Sequence, residues 1–158
     1  MYLRSNQFNN TMATRSEIIN YVITEFRKSI NEFYKDSEES IKNTIDTNDT
    51  KLYENNTEDD ITNITIASDS IDILTNNIKT LEKALDMENT NVEVRGGSVG
   101  DTGQMFLIFG TNFPPIKYEG KQVVGVASDA PIYKSLLGKK DGDEVKIGTT
   151  VSNLKLLK

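Results

Sequence analysis

The chain has 158 residues, 36% of them hydrophobic, and a formal net charge of −6, which suits one ordinary domain or a small domain plus an extended element. It contains neither cysteine nor histidine. That excludes disulfides, thiolate metal or redox sites and imidazole chemistry, so any catalysis rests on carboxylates, lysine, tyrosine or hydroxyls. No apolar run approaches the ~20 residues of a membrane span, and the start MYLRSNQFNN lacks the apolar core of a signal peptide; a soluble cytoplasmic protein without membrane contact is expected.

The charge is unevenly spread. Residues 1–90 carry 9 Lys/Arg against 17 Asp/Glu, a net of −8, and residues 91–158 carry 9 against 7, a net of +2. All ten glycines and all three prolines lie after residue 95. Two regions with different rules are expected, with a boundary near Glu88–Val92. The acidic half is poorly suited to gripping phosphates, whose affinity comes from Lys and Arg, and better suited to a basic protein groove or a metal ion.

Residues 1–13 have no period and read as a leader. From Ala13 onward Ile19, Val22 or Ile23, Phe26, Ile30 and Phe33 recur at steps of three and four, with Ile41 and Ile45 beyond, which predicts a helix. Thr14 or Ser16 is placed to cap it, and Glu17 suits the positive end of its dipole. A second seam, Ile64, Ala67, Ile71, Leu74, Ile78, Leu81 and Leu85, alternates three and four like the a/d positions of a coiled coil. Neither helix can bury its stripe alone. The simplest solution over residues 14–90 is an antiparallel two-helix coiled coil, an arm of about 42–48 Å at ~1.5 Å per residue. The alternative is a compact bundle with a third element.

Between the seams lies DTNDTKLYENNTEDD (46–60), with six carboxylates, Asp46, Asp49, Glu54, Glu58, Asp59 and Asp60, and one lysine. An EF-hand starting at Asp46 fails, since its sixth position is Lys51 and its twelfth Thr57 instead of glycine and glutamate. Glu58, Asp59 and Asp60 suit the first turn of the second helix. Each carboxylate is otherwise either a solvated loop charge or part of a working tip.

After Asn91 the chain turns to short β-prone runs, 92–95, 105–110, 121–128, 143–148 and 151–158, separated by the turn-rich GGSVGDTG (96–103) and TNFPP (111–115). APIYKSLLGKK (130–140) has proline early and Gly138 at its end, the start and stop signals of a short helix. The fold class is α+β, with a mostly antiparallel sheet packed by one helix over 91–158. Gly138 is expected at a left-handed helix end, Gly142 in a turn and the leucines in the core.

DAPIYKSLLGKKDGDEVKI resembles the C-terminal domain of the bacterial Gre transcript-cleavage factors. Pro131, Leu136, Leu137, Gly138, Lys139, Lys140, Gly142, Asp143, Glu144 and Val145 fit the family's string in register, while Ala130 replaces its serine and Tyr133 a small residue. GGSVGDTGQMFLIFG resembles the first strands of that domain, particularly in small Gre-like proteins of Bacteroidetes. The likeness covers roughly residues 92–158 in sequence and residues 14–90 in architecture only.

The resemblance implies an FKBP-like fold for 91–158 and a monomeric, non-enzymatic elongation factor. Its partner is a bacterial or phage RNA polymerase, entered through the secondary channel, and nucleic acid is met only through that partner. Tip carboxylates of the family help hold a second Mg²⁺ at the polymerase active centre, where two metals assist hydrolysis of backtracked RNA. The family tip has an aspartate and, three residues later, a glutamate near a tyrosine. Here Asp49-Thr50-Lys51-Leu52-Tyr53-Glu54 keeps the order Asp, Lys, Tyr, Glu but spreads it by two residues. Asp49 and Glu54 are the implied catalytic and metal-holding pair, Asp46 the reserve, Tyr53 a tip neighbour, and Lys139 and Lys140 either polymerase contacts or solvated charges. The altered spacing leaves two alternatives: a secondary-channel binder, of host or phage origin, that inhibits or modulates without cleavage, and a Gre-like domain reused as an interaction module.

Overall fold

The computed structural model describes residues 13–47 and 69–158, with side chains described for 13–36 and 69–158. Helix α1 spans Arg15–Thr47, 33 residues without glycine or proline. The Thr14 hydroxyl accepts from the Glu17 N–H at 3.2 Å, satisfying one of the orphan donors of the first turn, as the sequence suggests. Ile18, Ile19, Val22, Ile23 and Phe26 are buried. Ile30 and Phe33 are half-buried, and from Tyr34 to Asp36 every side chain is exposed, so the apolar stripe fades where the sequence thins it.

Helix α2 occupies residues 69–85 of the described chain. Along it Ile71 and Leu74 are half-buried and Ile78 and Leu81 buried, while Asp72, Ile73, Lys79 and Glu82 are exposed; the a/d positions are the sheltered ones. Ile64 and Ala67 lie outside the described residues. The helix ends in turns from Asp86 N–H to Lys83 O and Met87 N–H to Ala84 O, and Asn89 follows at φ 58°, a left-handed position that asparagine tolerates.

Seven strands and one helix follow: β1 (Val99–Asp101), β2 (Met105–Phe109), β3 (Ile116–Tyr118), β4 (Lys121–Val126), α3 (Pro131–Leu136), β5 (Glu144–Ile147), β6 (Thr150–Asn153) and β7 (Lys155–Leu156). One sheet has the order β3-β4-β2-β1-β7, and β5-β6 form a separate hairpin. Only β2 and β4 pair in parallel, Leu107 opposite Val124; the other ladders are antiparallel. The class is therefore α+β, with a mostly antiparallel main sheet.

Alternation along the strands gives the main sheet two buried faces. Leu107, Phe109, Val126 and Leu156 pack with Val94, Leu136, Val145 and Leu154, so α3 and the β5-β6 hairpin cover one side. On the other, Val99, Phe106, Ile108 and Val123 are buried. There the Phe106 ring meets Tyr118 at 6.0 Å and Tyr118 meets Tyr21 at 4.8 Å, which places the first turns of α1 against this face. The Tyr21 hydroxyl donates to Lys117 O at 2.7 Å, occupying a carbonyl on the edge strand β3.

Compactness divides the described chain inside both helices. Residues up to Val22 group with Thr80–Lys158, and Ile23–Lys79 forms the second unit. The fully buried Ile18, Ile19 and Val22 thus belong with the β-rich unit.

Four strand expectations need correction. Residues 92–95 are not a strand: Glu93 makes a single bridge to Lys140, because its neighbour is a short link between Gly138 and Gly142, both at positive φ. The glycine-rich 96–103 contains β1 where turns are expected. Gly100 serves the strand because a Cβ there would lie 2.6 Å from Leu154 Cδ1. Strand β3 follows TNFPP unannounced. The run 151–158 divides between two sheets at Leu154, whose N–H bonds Asp143 O at 2.8 Å. Within α3 the leucines also part ways, Leu136 buried and Leu137 55% exposed.

Candidate functional site

Helix α1 runs to Thr47, so Asp46 stands in its last turn; its side chain is outside the described set. Asp49, Tyr53 and Glu54, with Glu58, Asp59 and Asp60, lie outside the described residues. The donor set expected there, carboxylate oxygen alone, is chemically suited to Mg²⁺, which takes hard oxygen ligands and is commonly held by one or two protein carboxylates. Among the described residues no group of three or more acidic side chains is placed to hold a metal.

The second candidate segment, Lys139–Asp143, is held by its backbone. The Lys140 N–H bonds Asp143 Oδ2 at 2.8 Å, and the Asp143 N–H bonds back to Lys140 O at 3.0 Å. Asp141 Oδ1 accepts from the Leu156 N–H at 2.8 Å, and Gly142, at φ 86°, gives its N–H to Leu154 O at 2.7 Å. Three of the residues that carry the family-like string, Gly142, Asp143 and Gly138 (φ 85°), therefore have structural work. Lys139 is half-buried and Lys140 exposed, opposite Glu93 across the bridge.

Two charged groups outside the sequence-based candidates stand out. Asp101, nearly buried, lies 3.4 Å from Lys121 Nζ. It also accepts from the Gly103 N–H at 2.8 Å, and the ammonium sits 5.0 Å from the Phe106 ring centre. This arrangement binds the β1–β2 turn to β4 and leaves both carboxylate oxygens engaged. The other is Arg15. Its side chain is buried, its Nε donates to Gly97 O at 2.8 Å, and its Nη2 donates to Ala84 O. Burial pulls its pKa below the ordinary guanidinium value, yet guanidinium remains protonated at neutral pH. A signal for it exists in the sequence: Arg15, Ile18, Ile19 and Val22 share one helical face, so the arginine opens the very stripe that is buried.

Comparison with family models, curated proteins and solved structures returns no match for this chain.

Proposed function

We propose that this chain is an RNA polymerase secondary-channel factor of the Gre type, which lends tip carboxylates to RNA cleavage. The observation that carries this reading is the order of parts. A 33-residue helix leads to an acidic segment, a second helix with a coiled-coil seam, and an α+β unit bearing the APIYKSLLGKKDGD string. At ~1.5 Å per residue α1 alone is about 50 Å long, a reach that suits carrying charge into a deep groove. Paired as an antiparallel coiled coil, the helices would present Asp49 and Glu54, with Asp46 and Tyr53 nearby, at one end. Their role is to hold part of the shell of a Mg²⁺ whose other ligands belong to the polymerase. That ion, when bound, activates water and stabilises the departing oxygen. The chain itself contributes position and negative charge, and no nucleophile of its own.

Halted transcription complexes supplied with Mg²⁺ test the reading. Adding the protein is expected to shorten the nascent RNA, and Asp49→Ala or Glu54→Ala to abolish the effect while polymerase binding persists. Binding without shortening favours the second reading, a secondary-channel occupant that inhibits or modulates; the two extra residues between Asp49 and Glu54 support it. A stable oligomer without polymerase binding would instead support the interaction module.

A further inference from the structure

The start of α1 and the end of α2 come together at one buried cation, and we infer that Arg15 is a positioning residue: a clasp fixing the two helix stubs, residues 15–22 and 80–85, to each other and to the sheet. Its guanidinium reaches partners 82 and 69 positions away in sequence, Gly97 O and Ala84 O. Its own N–H, an orphan in the first turn of α1, goes to Lys158 O at 2.9 Å. One residue thus joins the beginning of the first helix, the last turn of the second, the turn before β1 and the segment after β7.

The choice of arginine follows from the acceptors. The two guanidinium acceptors are main-chain carbonyl oxygens, and a buried cation without a carboxylate partner is costly unless oriented dipoles replace its water. Ala84 O supplies one: it already takes the Met87 N–H, has a second lone pair to offer, and as a last-turn carbonyl carries the negative end of the helix dipole. The planar fork of guanidinium offers its donors in fixed directions to both carbonyls, whereas a lysine ammonium carries rotatable donors on a flexible stem. Gly97 completes the fit. It sits at φ +90°, and a Cβ there would lie 2.5 Å from Met87 Sδ and 3.5 Å from Arg15 Nη2. The glycine answers to its own positive φ and to Met87, with Arg15 at ordinary contact distance, whereas the charge is something a residue that merely filled the core would not need.

The functional half of the inference rests on the polymerase reading, in which the two clasped helices are the ones that carry the acidic segment. The structural half is testable without a polymerase. The absence of cysteine lets spin labels be placed at Glu17→Cys and Lys83→Cys, both exposed, and their separation measured by pulsed electron resonance. A single narrow distance distribution is expected in the parent. Arg15→Gln is expected to broaden it while the amide spectrum of the sheet is retained, and Arg15→Lys to fall between. An unchanged distribution in Arg15→Gln overturns the inference, and so does collapse of the whole sheet, which would make Arg15 a general stability residue. In halted transcription complexes Arg15→Gln is expected to keep polymerase affinity and lose cleavage rate by up to about 100-fold, the scale on which a small misplacement acts. If the parent protein does not bind polymerase, the functional reading fails while the distance measurement still decides the clasp.

Discussion

The β3–β4 turn puts a glutamate where the backbone asks for something else. Glu119 and Gly120 both have positive φ, 49° and 83°, between the paired Tyr118 and Lys121. This is the two-residue hairpin turn that favours Asn-Gly. We expect Glu119→Asn to raise stability by about 1 kcal/mol, the cost of a left-handed conformation for an ordinary side chain, measured as a higher urea midpoint with unchanged slope. Its neighbour Tyr118 sets a pH dependence. Burial first, then Glu119, Glu17 and Tyr21, push the phenol above its ordinary 10.0. The folded state therefore holds this proton after the unfolded chain has released it, so the stability it contributes is complete below pH 10 and is lost as pH rises towards the folded value. Thermal melts between pH 9 and 11 should fall less steeply for Tyr118→Phe than for the parent; equal slopes would remove Tyr118 from the account.

At the scale of elements, glycine misleads a reader of the sequence because it serves two purposes. Gly125 lies inside β4, and a Cβ there would lie 2.7 Å from Phe113 Cδ1 and 2.9 Å from the Phe113 backbone nitrogen. A ring can turn but a main chain cannot easily retreat, so Gly125→Ala is expected to cost about 1–3 kcal/mol, the usual penalty of overpacking, read from chemical denaturation. Gly100 in β1 makes room for a side chain instead, Leu154 Cδ1, and it is the reason that strand hides in a run resembling a turn. The long helices were legible because a repeat of 3.6 residues persists over many turns, whereas β3 and β7 are three and two residues long, too short for any alternation to register. The cap at Thr14 was legible because it is local. The bonds of Arg15 were not, since their partners are fixed by the fold.

For the whole molecule, the β-rich unit borrows its second wall from elsewhere in the chain. Residues 91–158 read as a domain in composition, yet buried Val99, Phe106, Ile108 and Val123 share the unit with the equally buried Ile18, Ile19, Val22, Leu81 and Ala84. A fragment of residues 91–158 is expected to lack a cooperative thermal transition, because it leaves that apolar face in water. A chain joining residues 13–22 to 80–158 through a short flexible linker is expected to recover one; cooperative unfolding of the shorter fragment would show that the helix stubs are dispensable. The candidate acidic site is legible only as composition, six carboxylates between two seams; Asp49 and Glu54 lie outside the described residues, and which oxygens converge is something no spacing rule supplies.

The distance in sequence between the start of α1 and the strands it covers also governs when the molecule becomes itself. The turns around Ile18 and Ile19 leave the ribosome well before β1, and the sheet is incomplete until β7 is delivered. For most of synthesis those side chains have no partner, and contacts this remote form slowly because a long loop must close first. Residues 15–47 can gain their helical structure meanwhile. We therefore read residues 15–47 as the early product of translation and the completed sheet as the late one, which leaves nascent chains dependent on protection of one short apolar stripe.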